Sequence, residues 1–246
     1  MAEGVIGRSG ELVELAGFIE GVPSRGRALL LEGEAGIGKT SLWFEGLRLA
    51  DEHRLRVLRS RSSPSETRIA FATVGDLFAP VIDETRSLLV PVQRRALESA
   101  LLLREPDPSP PEARLLGLAL VSVLHALAQE RPILIAIDDV QWVDPSSADV
   151  LTFMVRRLEG EPVGVLVAER GRSGPAPLEL DRTFAAFRRL SVEPLSVGAI
   201  HRLLWERLAL SLPRPTLIRV YEITGGNPFF ALEGTACYQG TLHLEL

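Results

Sequence analysis

The chain has 246 residues, a length that suits one large domain or two small ones. Its residues are 46% hydrophobic and 24% charged, as in ordinary globular proteins, and its formal net charge of −5 argues against a general polyanion-binding protein. The single cysteine, Cys237, excludes an intrachain disulfide and, together with the lack of signal-peptide features at the N-terminus, favours a cytoplasmic location.

Helices and strands are interspersed along the first 195 residues. Helical spacing of apolar residues predicts helices at 8–18, 41–49, 71–81, 91–103, 112–129 and 146–158. Apolar runs predict strands at 27–32, 56–60, 133–139, 163–168 and 190–193. A polar turn is predicted at 64–67 and an exposed, proline-rich loop at 105–111. The longest apolar stretch, 115–128, is too short to cross a bilayer, so no membrane contact is expected.

This pattern predicts an α/β fold followed by a small helical region. The apolar runs at 27–32, 133–139 and 163–168 show no alternation, which is typical of central parallel strands buried on both faces. Strands that alternate with helices form, most economically, a parallel sheet flanked by helices. From Ser196 onward only helices are predicted, at 197–208 and 214–224. We therefore predict an α/β core at 1–195 and a helical lid subdomain at 196–246.

A glycine-rich loop separates the strand at 27–32 from the helix at 41–49. It contains the complete G-x-x-x-x-G-K-[ST] pattern of a phosphate-binding loop, and its Lys39 is the only lysine among 27 lysine and arginine residues. A slim ammonium reaches along the β- and γ-phosphates of a nucleotide in a way that a planar guanidinium cannot imitate. Main-chain N–H groups and the helix N-terminus add favourable partial charge. The sequence predicts a P-loop NTPase with Lys39 as a catalytic residue and with nucleotide contacts from Gly33, Glu34, Ala35, Gly36, Ile37, Gly38, Lys39, Thr40 and Ser41.

Two carboxylates end the apolar strand at 133–139. In a P-loop NTPase the first of them, Asp138, is expected to hold Mg²⁺, and the hydroxyl of Thr40 is expected to be a direct ligand of the same ion. The second, Asp139, is placed to orient or deprotonate a water that attacks the γ-phosphate. The alternative is a pair of exposed acids that merely ends a strand.

Four further segments are similar, in the same order, to motifs of one family. They are Val5-Ile6-Gly7-Arg8 with Glu11-Leu12, then Ile135-Ala136-Ile137-Asp138-Asp139-Val140-Gln141-Trp142-Val143-Asp144, then Leu166-Val167-Ala168-Glu169-Arg170, and finally Gly225-Gly226-Asn227-Pro228-Phe229-Phe230. They resemble the AAA-type ATPase domains of the STAND group, the signal-transduction ATPases with numerous domains, and above all those of large ATP-binding regulators of the LuxR type. Ser9 stands where that family usually has an acidic residue.

The resemblance implies an AAA-type fold with a small helical lid, and ATP or ADP with Mg²⁺ as ligands. It implies that Arg170 is a sensor arginine with a catalytic role at the γ-phosphate, and that Pro228 packs on the adenine. The alternatives are that Arg170 is an ordinary surface arginine and that Pro228 only starts a helix. Arg8 either caps the nucleotide from the N-terminal side or faces water. Trp142 and Asp144 are expected to buttress the acidic loop.

The function expected from these residues is a nucleotide-dependent switch with slow, Mg²⁺-dependent ATP hydrolysis, in a bacterial signal-transduction or transcriptional regulator. After Glu233, two glycines and β-branched residues make a poor helix, so we expect the lid to be truncated. One alternative is a P-loop kinase or dedicated ATPase acting on a small substrate. Another is a replication-initiator-like AAA module that binds DNA. The negative net charge of the chain argues against this alternative. ATP is the expected partner, direct DNA binding is not expected, and self-association is left to a fuller protein.

Overall fold

The computed structural model describes residues 4–104, 112–171 and 174–242, with side chains described as far as residue 235. The proline-rich loop predicted at 105–111 and the side chain of Cys237 lie outside the described residues. The helices are α1 (Ser9–Gly21), α2 (Lys39–Glu52), α3 (Ala72–Phe78), α4 (Ile82–Thr85), α5 (Pro91–Ala100), α6 (Ala113–Ala128), α7 (Pro145–Val155), α8 (Leu180–Thr183), α9 (Val197–Leu208), α10 (Arg214–Thr224) and α11 (Pro228–Leu242). None of the helices in this part of the chain has the length and apolar character needed to cross a membrane.

A single five-stranded sheet organises the first part of the structure. Its strands are β1 (Arg27–Gly33), β2 (Arg56–Arg61), β3 (Ile133–Asp138), β4 (Val163–Arg170) and β5 (Phe187–Ser191). They pair in the order β2-β3-β4-β1-β5, and every pair is parallel. The predicted parallel α/β sheet is therefore confirmed, with the P-loop strand β1 between β4 and β5.

The last strand begins three residues earlier than the sequence indicated. The predicted bounds of 190–193 were wrong because β5 pairs only with β1 and is half exposed, so it lacks the apolar run that marks β3. The region around 71–81 also differs, because Pro80 turns the end of α3 into a 3-10 turn at Ala79–Val81 before the short helix α4.

The two faces of the sheet bury two separate cores. Alternate residues of β3 illustrate the division: Ile133, Ile135 and Ile137 face one cluster, whereas Leu134 and Ala136 face the other. Helices α3 to α8 cover the first face, and α1 and α2 cover the second. The result is a three-layer α/β arrangement in which the carboxyl ends of β1, β3 and β4 meet at one edge.

Helices α9, α10 and α11 form a smaller assembly beside this edge, with a buried cluster of Leu195, Ile200, Leu203, Leu204, Leu217 and Ala231. The expectation of a poor helix after Glu233 was wrong, since α11 continues to Leu242. Within this helix Thr235 is buried and donates its hydroxyl to Ala231 O at 2.7 Å. The division into domains at 1–195 and 196–246 stays a prediction.

Candidate nucleotide-binding site

The predicted phosphate loop joins the end of β1 to the start of α2, at the carboxyl edge of the sheet. Two of its glycines have backbone angles that favour glycine, with φ of 76° at Gly36 and 109° at Gly38. Helix α2 begins at Lys39, so the N–H groups of its first turn lack partners from an earlier helical turn. The local chain therefore has the strand, loop and helix-start geometry that suits an anion.

Lys39 lies inside this loop and is 6% exposed. Its Nζ donates hydrogen bonds to Gly33 O at 2.9 Å and to Glu34 O at 2.7 Å. Burial lowers the pKa of Lys39, while the charge of Asp139 opposes that shift and the charge of Arg170 adds to it. The predicted catalytic residues Lys39, Asp139 and Arg170 are thus brought within electrostatic reach of one another.

The predicted metal-binding pair is in direct contact. The hydroxyl of Thr40 donates to Asp138 Oδ2 at 3.0 Å, and Asp138 is only 2% exposed. Burial raises the pKa of Asp138, and the hydrogen bond from Thr40 partly offsets the shift. A hydroxyl and a carboxylate oxygen at this spacing are hard oxygen ligands of the kind that Mg²⁺ prefers, so the residues fit a divalent cation.

Arg61, a cation with no role predicted from the sequence, lies beside the same carboxylate. Arg61 ends β2, in register with Asp138 on β3, and its Nε lies 3.5 Å from Asp138 Oδ2. Its guanidinium also lies over the ring of Phe44, at 5.4 Å from the ring centroid. Only the pairing of β2 with β3 reveals this neighbour, because Arg61 and Asp138 lie 77 positions apart in the chain.

Asp139 is held by two side chains that donate to the same carboxylate oxygen. Gln141 donates its side-chain amide to Asp139 Oδ1 at 2.8 Å, and Arg170 Nε donates to the same oxygen at 3.3 Å. The main-chain N–H of Arg170 donates in turn to Gln141 Oε1 at 3.2 Å. Asp139 has a left-handed backbone with φ of 53°, an uncommon conformation outside glycine. The sequence pointed to Asp139 and Arg170 but missed Gln141, which links them.

Asp144 connects the acidic loop to the start of α3, on the face of the sheet that α7 also covers. It caps α7 by accepting from Ser147 N at 2.9 Å. It also accepts from Phe71 N at 2.9 Å and from Thr73 N at 3.3 Å, at the start of α3. Since Asp144 is 1% exposed, these bonds form a buried buttress, as the sequence indicated for this residue.

Arg8 contacts the back of the phosphate loop. It is 4% exposed, so the interpretation that it faces water was wrong. Its Nη2 donates to Ile37 O at 2.7 Å, and its Nη1 donates to Glu11 Oε1 at 2.8 Å and to the main-chain carbonyl of Glu193. A nucleotide contact by Arg8 stays a prediction, whereas its hydrogen bond to Ile37 O holds the phosphate loop directly.

The lid contacts two carbonyl oxygens of the phosphate loop, those of the two residues that precede Ile37. Asn227 donates its side-chain amide to Ala35 O at 2.9 Å, and Phe229 N donates to Gly36 O at 3.3 Å. Pro228, the predicted adenine contact, lies between them as the first residue of α11. Asn227 was named from the sequence only as part of the segment 225–230 and without a role, although its position after two glycines and before a proline marks a tight turn. Gly225 and Gly226 do have positive φ, 58° and 75°.

Comparison with known proteins places these features in a family. The sequence profile of the AAA ATPase domain matches residues 4–167. An uncharacterized protein of Rhizobium meliloti (strain 1021) is 26% identical over 261 aligned residues, which cover 93% of this chain and 24% of that protein. The chain thus spans less than a quarter of the length of the curated relative that it matches.

Solved structures resemble the described fold at low sequence identity. The ORC1 protein of Aeropyrum pernix, solved in complex with DNA, has a TM-score of 0.56 at 15% identity, covering 93% of this chain and 58% of that one. A STAND protein of Pyrococcus horikoshii with a tetratricopeptide repeat sensor has a TM-score of 0.54 at 18% identity, covering 92% and 29%. A RuvB variant of Thermotoga maritima has a TM-score of 0.53 at 14% identity, covering 97% and 64%. At these identities the likeness shows the fold alone, and it confirms the predicted P-loop AAA architecture.

Proposed function

This chain belongs to the AAA ATPase domain family, and from that membership we propose that it is a nucleotide-dependent switch that binds ATP or ADP with Mg²⁺ and hydrolyses ATP slowly. Family membership itself implies nucleotide binding with a divalent metal ion. What we propose beyond that is that the nucleotide is ATP or ADP, that the domain acts as a switch, and that hydrolysis is slow.

One observation carries the proposal: the complementary groups needed for a nucleotide converge on one edge of the sheet. Lys39 supplies a buried cation at the phosphate loop, and Thr40 and Asp138 supply the oxygen pair for Mg²⁺. When bound, such an ion neutralises charge on the β- and γ-phosphates. Asp139 lies next in the chain with its Oδ1 held by Gln141 and Arg170, which leaves Oδ2 for a water molecule.

The pairing of Arg170 with Asp139 supports a switch rather than a fast enzyme. The ion pair has a separation of 3.3 Å between Arg170 Nε and Asp139 Oδ1, and the Arg170 side chain is 52% exposed. A γ-phosphate beside this guanidinium is expected to compete with Asp139 for it, because both groups are anions and the ion pair with Asp139 uses Nε of a five-donor group. ATP and ADP are then expected to favour different arrangements of Arg170 and of the lid.

The wider setting that we propose is a regulator built from several domains. The chain covers only 24% of its Rhizobium relative, and it resembles the ATPase domains of LuxR-type STAND regulators in the four segments described above. A regulatory ATPase of this kind needs occupancy of its site more than rapid turnover. The proposed role is therefore that of the nucleotide-reading module in a bacterial signalling or transcriptional regulator.

The test combines a kinetic measurement with a conformational one. Single-turnover hydrolysis of ATP by the purified chain is expected to be slow, and limited proteolysis at 196–233 is expected to differ between the ATP and ADP states. Rapid multiple turnover, or identical protection with both nucleotides, would overturn the switch. Phosphate transfer to a small acceptor would instead support the kinase alternative, and salt-dependent retention on DNA would support the DNA-binding alternative.

A further inference from the structure

Three consecutive carbonyls on the outer side of the phosphate loop accept hydrogen bonds from outside the loop. Ala35 O accepts from Asn227, Gly36 O accepts from Phe229 N, and Ile37 O accepts from Arg8. Two of the three donors belong to the lid, and the third belongs to the N-terminal segment before α1. We propose that Asn227 is a positioning residue through which docking of the lid controls the grip of the loop on nucleotide phosphates. This inference rests on the proposed nucleotide-binding function.

The orientation of the Asn227 amide follows from its partners. Phe229 N can only donate, and it lies 3.1 Å from Asn227 Oδ1, so the oxygen faces Phe229 and Nδ2 faces Ala35 O. Asn227 is 3% exposed, and both of its bonds are therefore largely shielded from water. A buried amide that lost its acceptor on the loop would be left unsatisfied, which makes the docked position specific.

A bond to a loop carbonyl also orients the phosphate side of the loop. In a planar trans peptide the C=O and the following N–H point in opposite directions. Holding Ala35 O outward therefore directs Gly36 N–H inward, and holding Ile37 O outward does the same for Gly38 N–H. These inward N–H groups belong to the part of the loop that cradles phosphates. Asn227 thus acts on the phosphates through the backbone of the loop, without touching them.

Close packing leaves little room for the loop to shift while the lid is docked. A Cβ at Gly36 would lie 2.7 Å from Phe229 Cβ and 3.1 Å from Asn227 Oδ1, so the main chain of the loop lies directly against the lid turn. On the other side of that turn, a Cβ at Gly226 would lie 2.5 Å from Leu195 O. The turn is therefore wedged between the loop and the start of the lid.

The consequence is reciprocal coupling. If a docked lid favours the loop geometry that binds phosphates, then bound nucleotide must favour the docked lid by the same factor. A signal that lifts α11 removes both lid donors at once and weakens nucleotide binding. Arg8 keeps its bond to Ile37 O in that state, so the loop is loosened at Ala35 and Gly36 first.

The experiment measures the dissociation rate of a fluorescent ADP analogue from the whole chain. Asn227→Ala removes both side-chain bonds, whereas Asn227→Asp keeps the acceptor for Phe229 N, loses the donor to Ala35 O and places a carboxylate beside that carbonyl. Both variants are expected to release the analogue roughly five- to thirtyfold faster than wild type, as befits one buried hydrogen bond. Thr235→Ala is the matched control, because it loses a buried lid bond to Ala231 O that does not involve the loop, and its rate is expected to stay within about twofold.

A second readout separates coupling from a simple loss of lid stability. In wild type and Thr235→Ala, nucleotide is expected to protect α11 from protease, and in the Asn227 variants saturating nucleotide is expected to protect it much less. Dissociation from Asn227→Asp at the wild-type rate, or full nucleotide protection of α11 in both variants, would overturn the proposal. Absence of any nucleotide binding by the wild-type chain would overturn the proposed function itself, which is a different outcome.

Discussion

The sheet edge and the lid differ greatly in the number of buried apolar side chains that support them. All six residues of β3 are buried, as are the last six residues of β1 and the first six of β4, between the two clusters on the faces of the sheet. The lid has a small cluster of its own and exposes large apolar side chains: Trp205 at 57%, Ile223 at 76% and Phe230 at 53%. Regions with few buried contacts open at a low free-energy cost. The difference indicates that the sheet edge holds the reactive groups in place while the lid is the part able to move.

The largest effect that this comparison predicts is on chemistry at the sheet edge. Asp139→Asn is expected to slow ATP cleavage by about 10²–10⁴-fold while leaving ATP bound, because only the water-orienting or base function is lost. Single-turnover hydrolysis and calorimetric binding measure the two effects separately. Asp149→Asn, which removes an exposed acid on the neighbouring helix α7, is the control and is expected to change neither. Wild-type cleavage by Asp139→Asn would exclude Asp139 as the water-activating group.

Next in size is the difference in stability between the two cores. Leu166 on β4 and Leu204 on α9 are both fully buried, at 0% exposure. Leu166→Ala is expected to lower the free energy of unfolding by about 2–5 kcal/mol, because a densely packed sheet cannot collapse around the cavity. Leu204→Ala is expected to act mainly on local opening, with faster proteolysis of the lid and a smaller change in the global denaturant midpoint. If the two variants lowered the global free energy of unfolding equally and Leu204→Ala left lid proteolysis unchanged, the lid would not be the region that opens more easily.

A smaller effect is expected on nucleotide affinity. Lys39→Ala removes a charge-assisted contact to the phosphates and is expected to weaken ATP binding by roughly 1.5–3 kcal/mol, about one to two decades. Arg48→Ala is the control, because it removes a positive charge from the same helix, where Arg48 pairs with Glu45 and Glu52. Calorimetric titration with ATP and Mg²⁺ compares the three proteins. Equal affinity of Lys39→Ala and wild type would refute the assignment of the phosphate loop.

The smallest expected effect is a pH-dependent change in the stability of the nucleotide-free chain. Burial raises the pKa of Asp138 above its ordinary value of 3.8, so folding disfavours the ionised carboxylate. The cost is absent at pH values below 3.8, grows as the pH rises from there toward the raised folded pKa, and is complete above the folded pKa. Asp138→Asn is therefore expected to raise the melting temperature at pH 7 and to leave it nearly unchanged near pH 3.5, while removing the Mg²⁺ dependence of nucleotide binding. A lower melting temperature of Asp138→Asn at pH 7 would contradict this sign.

Much of the fold could be predicted from local sequence because the strongest signals are local. The unbroken apolar runs of β1, β3 and β4 identified the buried centre of a parallel sheet, and the G-x-x-x-x-G-K-[ST] pattern identified the loop between β1 and α2. The half-exposed edge strand β5 and the end of α11 were placed less well. Strand β5 depends on its pairing with β1 rather than on an apolar run of its own, and α11 continues through a segment of low helix propensity.

The sequence by itself determined which chemical groups the site contains: a lysine and a hydroxyl on the loop, and two carboxylates at the end of a buried strand. Only the tertiary structure decided how those groups are held. Gln141 bridges Asp139 and Arg170, Arg61 lies beside Asp138, and Asn227 bonds to Ala35 O. The physical reason is that a motif is a property of residues adjacent in the chain, whereas these hydrogen bonds join polar side chains to partners that are mostly far away in sequence. Which donor meets which acceptor is settled by strand pairing and by docking of the lid, and no local pattern encodes it.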